Sequence, residues 1–142
     1  KKSNTVIPFN TKCELSHHYG IDTFKEFGAT IIDCINREYC KKIIVLLPGQ
    51  KHPSHTHKLK EETFNVIYGD LNLDLGGSVK TYGRGDMILV ERNMSHSFST
   101  VNGAVFEEIS TTHYKNDSFY DDRTIMENRE RKTEVYLTKE IL

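Results

Sequence analysis

Residues 49–69 read GQKHPSHTHKLKEETFNVIYG, and the spacing inside this stretch organises the reading of the whole chain. It runs from Gly49 through His55, His57 and Glu62 to Gly69. Side chains two apart on a β-strand share a face, so His55 and His57 point the same way. A carboxylate delivered by the next strand, Glu62, can then close on the same point. Imidazole and carboxylate together suit a borderline divalent ion such as Zn, Mn, Fe, Ni or Co. A second run, GDMILVERNMSHSF over residues 85–98, follows Gly85 at once with Asp86 and then supplies His96 and Phe98.

The two runs together resemble the paired motifs of the cupin superfamily. That resemblance implies an all-β fold, a double-stranded β-helix or jelly-roll barrel with a metal in its mouth. It places the metal ligands at His55, His57, Glu62 and His96. The second run departs from the family in composition: Glu91 stands where proline is usual, Asn93 where glycine is usual, and Thr100 where asparagine is frequent. Asparagine tolerates a positive φ, so Asn93 can keep the turn.

The chain has 142 residues, enough for one domain with a real core. A single domain over 1–142 is expected. The first residue is lysine, which fits either a trimmed chain or a C-terminal domain of a longer protein. A formal net charge of −1 gives no reason to expect nucleic acid. The longest apolar run considered, Ile43 to Leu47, is far short of the roughly 20 residues that span a bilayer. Three cysteines, Cys13, Cys34 and Cys40, are odd in number and lack metal spacing. They point to free thiols in a reducing compartment, hence the cytoplasm.

Residues 1–18 read as an extended arm with a strand or two. Thr23 and Glu26 have the spacing of a capping box, and Ile21, Phe24 and Phe27 share a helical face, so a short N-terminal helix ending at Gly28 is expected. A hairpin follows, Thr30 to Ile32 and Ile43 to Leu47, turning around Asn36, Arg37 and Glu38. Further strands are expected at Thr63 to Tyr68, Asn72 to Leu75, Val79 to Tyr82, Asp86 to Val90, His96 to Val101, Ala104 to Ser110 and Thr133 to Leu137. The strand from Ile43 to Leu47 is apolar on both faces. Either the N-terminal arm covers its outer face or a second subunit does, and a homodimer is the expectation.

Phe64, Val66 and Tyr68 share parity with Glu62 and read as barrel lining. His17, His18 and His52 fall outside the motif and read as surface residues. A polar cluster follows the barrel, from Glu107 and Glu108 through Ser110 and His113 to Asp117 and Tyr120. One strand parity turns Glu108 inward and the other Glu107, and an inward carboxylate is a natural proton carrier. Glu107, Glu108, His113 and Tyr120 are therefore the candidate catalytic residues. This cluster, with the stretch from Lys58 to Asp70, resembles the cupin domains appended to sialic-acid (N-acetylneuraminate) synthases over about residues 17–132. More weakly, it is similar to D-lyxose isomerase-type sugar isomerases. The resemblance implies a divalent-metal cupin acting on a sugar, by aldose–ketose isomerisation or epimerisation. The alternatives are a non-catalytic sugar-binding accessory domain and an Fe(II) dioxygenase.

Overall fold

The computed structural model describes residues 2–138. Eleven strands and one short helix follow in chain order: β1 (Thr11–His17), β2 (Gly28–Asn36), β3 (Tyr39–Leu46), β4 (Lys51–Thr56), β5 (Glu62–Leu75), β6 (Ser78–Gly83), β7 (Met87–Val90), β8 (His96–Ser99), β9 (Ala104–Thr111), β10 (Phe119–Tyr120), α1 (Arg123–Glu127) and β11 (Lys132–Leu137). They form one curled antiparallel sheet in the order β10-β4-β8-β5-β9-β3-β2-β1-β11, with β6 and β7 also paired to β5.

The curl depends on β5. The sequence suggests two strands here, broken before Asn72, yet the chain stays extended through all 14 residues. Residues 62–69 pair with β9, and residues 72–75 pair with β8. One strand thus belongs to both halves of the barrel. The corner is made by a register shift between Val66 and Tyr68 and by Gly69 at φ 74°. A bulge of this kind bends a strand and redirects its side chains. Val66 remains in the inner core, but Tyr68 turns to the outer cluster, against the parity expected from Glu62.

Alternation sorts the apolar residues into two layers. Ile31, Ile44, Phe64, Leu73, Phe98 and Phe106 belong to the inner cluster, whereas Ile32, Ile43, Val105 and Cys13 form the outer one. Ile7, Ile67, Tyr68 and Leu137 pack against that outer layer. Ile43 on the outer face of the strand is therefore covered within the chain, by the N-terminal arm and its neighbours, whereas Leu47 at its end stays 45% exposed.

The expected N-terminal helix is corrected to a single 3-10 turn at Ile21–Thr23. Its capping box does not form. The Thr23 hydroxyl donates to Gly20 O at 3.0 Å, and the Glu26 carboxylate pairs with Lys51 at 3.6 Å. The helix that does form, α1, lies near the other end of the chain, where Asp122 accepts from Thr124 N at 2.9 Å. Asn93 holds φ 63° in the turn before β8, as its tolerance for that region suggests.

Gly69 has a steric reason as well as a conformational one. A Cβ there would meet Gly103 O at 2.0 Å, where two backbones cross. Gly69→Ala is expected to cost about 3 kcal/mol from strain and backbone displacement together. Urea unfolding with an unchanged midpoint would refute this account of the corner.

Candidate metal centre and its cavity

His55 on β4, His57 just past it and His96 at the start of β8 offer nitrogens that all lie within 4.8 Å of one another. Register brings them together, since His55 stands opposite His96 in the β4–β8 ladder. All three side chains are buried. Each ring is oriented by a main-chain carbonyl at Nδ1: Pro53 O for His55 at 3.1 Å, Asp117 O for His57 at 2.7 Å, and Met94 O for His96 at 2.9 Å. A carbonyl can only accept, so these contacts place the proton on Nδ1 and leave Nε2 as a lone pair. This is the usual tautomeric arrangement of histidine ligands.

Glu62 lies outside that group of three but beside two of its members. Its Oε2 lies 3.1 Å from His96 Nε2, and its Oε1 lies 3.4 Å from His57 Nε2. Both Glu62 Oε2 and His96 Nε2 are buried without a hydrogen-bond partner. Two lone-pair atoms held this close repel unless a cation lies between them. The donor set therefore fits a divalent ion on the chemistry of its own atoms. Burial, together with its histidine neighbours, holds His55 well below the usual imidazole range, ready to ligate.

Lys60 is a feature the sequence reading passed over. Its ammonium is almost wholly buried and sits 2.5 Å from Glu62 Oε1 and 2.8 Å from Glu108 Oε1. Burial works to lower its pKa, but the two carboxylates outweigh this and raise it. Glu62 responds in the opposite sense: burial favours its neutral form, yet the Lys60 ammonium holds it ionised well below the usual range. The strand period was the available signal, because Lys60, Glu62 and Phe64 share parity. Asp117 fixes this corner by accepting from Lys58 N at 2.9 Å and Lys60 N at 2.9 Å while its carbonyl holds His57.

The candidate catalytic residues divide. Glu108 faces the cavity with Lys60, and His113 and Tyr120 also line it. Glu107 does not: it points to the outer face, bound to Lys41 at 2.7 Å and Asn65 Nδ2 at 3.0 Å. Burial and nearby lysines push His113 down to about 3, and burial pushes the Tyr120 hydroxyl up to about 12. Both are neutral at pH 7. His17, His18 and His52, expected at the surface, are buried. His52 stacks on Phe98 at 4.4 Å and touches His18 at 4.4 Å, while Tyr120 stacks on His55 at 5.3 Å. Burial holds His18 at about 4 and His52 well below its ordinary value. These rings act as an uncharged aromatic wall. The cavity they enclose with the charged residues has a volume of about 930 Å³.

Comparison with known proteins agrees with this architecture. Residues 42–107 match the family model described as Cupin domain. The strands form the double-stranded β-helix of the cupin fold. Among characterised relatives, D-lyxose/D-mannose isomerase of Thermosediminibacter oceani is 32% identical over 85 residues, which cover 54% of this chain and 47% of that enzyme. This chain thus matches about half the length of that relative. In three dimensions the barrel resembles L-ribose isomerase of Cellulomonas parahominis, with TM-score 0.73, 14% identity and 82% of each chain covered. It also resembles the polyketide cyclase RemF of Streptomyces resistomycificus, with TM-score 0.59, 21% identity, and 68% and 75% of the two chains covered. Among the described residues no helix is long and apolar enough to cross a membrane.

Lys60→Met tests the charge balance. In metal-free protein it leaves two buried carboxylates without their ammonium, and a loss of about 3–5 kcal/mol is expected at pH 7. Glu62 has a depressed folded-state value, so its contribution is present above its ordinary 4.5 and is lost as pH falls below that. The gap between variant and parent should therefore narrow on acidification below about 4.5. Equal pH profiles for the two proteins would overturn the assignment.

Proposed function

We propose that this cupin is a divalent-metal sugar isomerase, interconverting an aldose and a ketose or epimerising a sugar. The observation that carries the reading is the second carboxylate. Glu108 is held by Lys60 beside Glu62, at the edge of three converging histidine nitrogens. His55, His57, His96 and Glu62 would hold the ion, which supplies Lewis-acid polarisation of a carbonyl when bound. Glu108 would take the proton from the hydroxyl-bearing carbon next to that carbonyl and return it to the former carbonyl carbon, while the proton of that hydroxyl passes to the former carbonyl oxygen. Lys60 holds Glu108 in place and donates hydrogen bonds toward oxygens in the cavity. Tyr120, neutral and stacked on His55, and His113 position substrate hydroxyls. The buried wall of His18, His52 and Phe98 limits water on that side. The similarity to a D-lyxose/D-mannose isomerase and to the fold of an L-ribose isomerase supports the same chemistry. The free thiols Cys13, Cys34 and Cys40 suit a reducing cytoplasm.

A second reading is favoured by the same Lys60 contact. Glu108 Oε1 is already engaged by the Lys60 ammonium at 2.8 Å and would have to leave that contact to reach a substrate carbon. On that reading the domain binds metal and sugar without turnover, as an accessory module of a larger synthase.

Metal analysis of protein purified without chelators, followed by a sugar-panel turnover assay, separates the two. One first-row ion per chain is expected, lost in His57→Ala and in His96→Ala. Histidine ligates only when neutral, so affinity should weaken as pH falls through about 6 to 7. Glu108→Gln should abolish turnover, by about a hundredfold or more, while metal content stays at the parent level. Binding without turnover in the parent leaves the accessory reading. Absence of metal under all loading conditions overturns both.

A further inference from the structure

The acidic side chains lining the cavity are all matched by cations. Lys60 serves Glu62 and Glu108. Lys12 lies 2.9 Å from Glu14, 3.4 Å from Asp33 and 3.1 Å from Glu134. Lys132 also pairs with Glu14, and Lys42 lies 3.6 Å from Asp33. Three cations remain on the same wall without an acidic partner among the described residues: Lys115, Arg129 and Arg131. The cavity thus carries an excess of positive charge even before any metal enters.

Arg131 is the decisive one. It sits just before β11, where its carbonyl accepts from His17 N at 2.8 Å, so its backbone is tied to β1. Its guanidinium carbon lies 5.0 Å from the centre of the Tyr120 ring. Nη1 is buried and has no hydrogen-bond partner. A buried, unpartnered guanidinium nitrogen is costly, and its planar donors match the oxygens of a phosphate or carboxylate. Tyr120 in turn stacks on His55 at 5.3 Å. The guanidinium and one histidine of the candidate metal centre therefore contact the same aromatic ring, so one ligand in the cavity can reach both.

We propose that Arg131, assisted by Lys115 and Arg129, binds an anionic group, phosphate or carboxylate, at the end of the substrate remote from the metal. The inference rests on the sugar reading above and narrows it: the substrate is a sugar phosphate or a sugar acid, not a neutral sugar. Arg131 is then a specificity determinant that registers the chain so that its carbonyl end reaches Glu62 and Glu108.

Calorimetric titration of metal-loaded protein with D-mannose, D-mannose 6-phosphate and D-mannuronate tests this, with inorganic phosphate titrated into metal-free protein as a sugar-independent probe. At least one anionic sugar should bind tenfold or more tighter than D-mannose, and which one does so distinguishes phosphate from carboxylate. Arg131→Gln should remove that preference and the phosphate binding, Arg131→Lys should restore part of it, and the exposed Arg84→Gln should retain it. Circular dichroism and metal content check that the variants are folded. Equal binding of neutral and anionic sugars by the parent, or an equal loss for all ligands in Arg131→Gln, overturns the anion site and leaves the isomerase reading standing. Phosphate binding that depends on Arg131 with no sugar bound at all upholds the anion site and removes the sugar reading. Failure of every ligand to bind overturns both.

Discussion

A lysine ammonium buried between two carboxylates dictates the layout of this barrel. Lys60, Glu62 and Glu108 cannot leave the interior, because strand register fixes the two carboxylates and Asp117 fixes the Lys60 amide, and none of them tolerates burial alone. Their mutual neutralisation allows charged chemistry inside a shell whose other inward residues are Phe64, Val66, Phe98 and Phe106. The apolar end supplies cohesion and the ionic end supplies reactivity. Asp117 joins them, since its carboxylate and its carbonyl address the loop of Lys60 and the ring of His57 respectively.

Much of this was legible in the amino-acid order. The histidine pair at alternate positions, the carboxylate at Glu62 and the distant His96 were visible because strand periodicity makes facing directly readable. Most strand positions were visible for the same reason. The failures arose where neighbours, not local pattern, decide conformation. Residues 62–75 form one strand because β9 and β8 pair with it in turn, a fact of the partners and not of Gly69. Thr23 chose Gly20 O over a helical amide, an outcome no spacing rule forecasts.

Charge and burial were harder still. His18 and His52 lack motif spacing, and their interior location follows from their edge-to-face contact and from the stacking of His52 on Phe98. Glu107 and Glu108 were inseparable by sequence, because either parity of a strand is self-consistent until a core is known. Phe106 settles it by facing inward, which sends Glu107 out to Lys41. Arg131 lies in the charged run Arg129 to Lys132, which has no motif spacing to mark it. Only pairing of the first and last described strands brings it over Tyr120.

The carbonyls behind the three histidines have an evolutionary consequence. Pro53, Met94 and Asp117 orient the rings through main-chain oxygens, which every amino acid possesses. The aim of the imidazoles is therefore written in the path of the backbone, and the identities of the side chains at positions 53 and 94 do not enter it. Sequences can drift at such positions while the donor geometry persists. A scaffold of that kind lets new cavity walls be tried around an unmoved centre, which is how one barrel can come to house unrelated reactions.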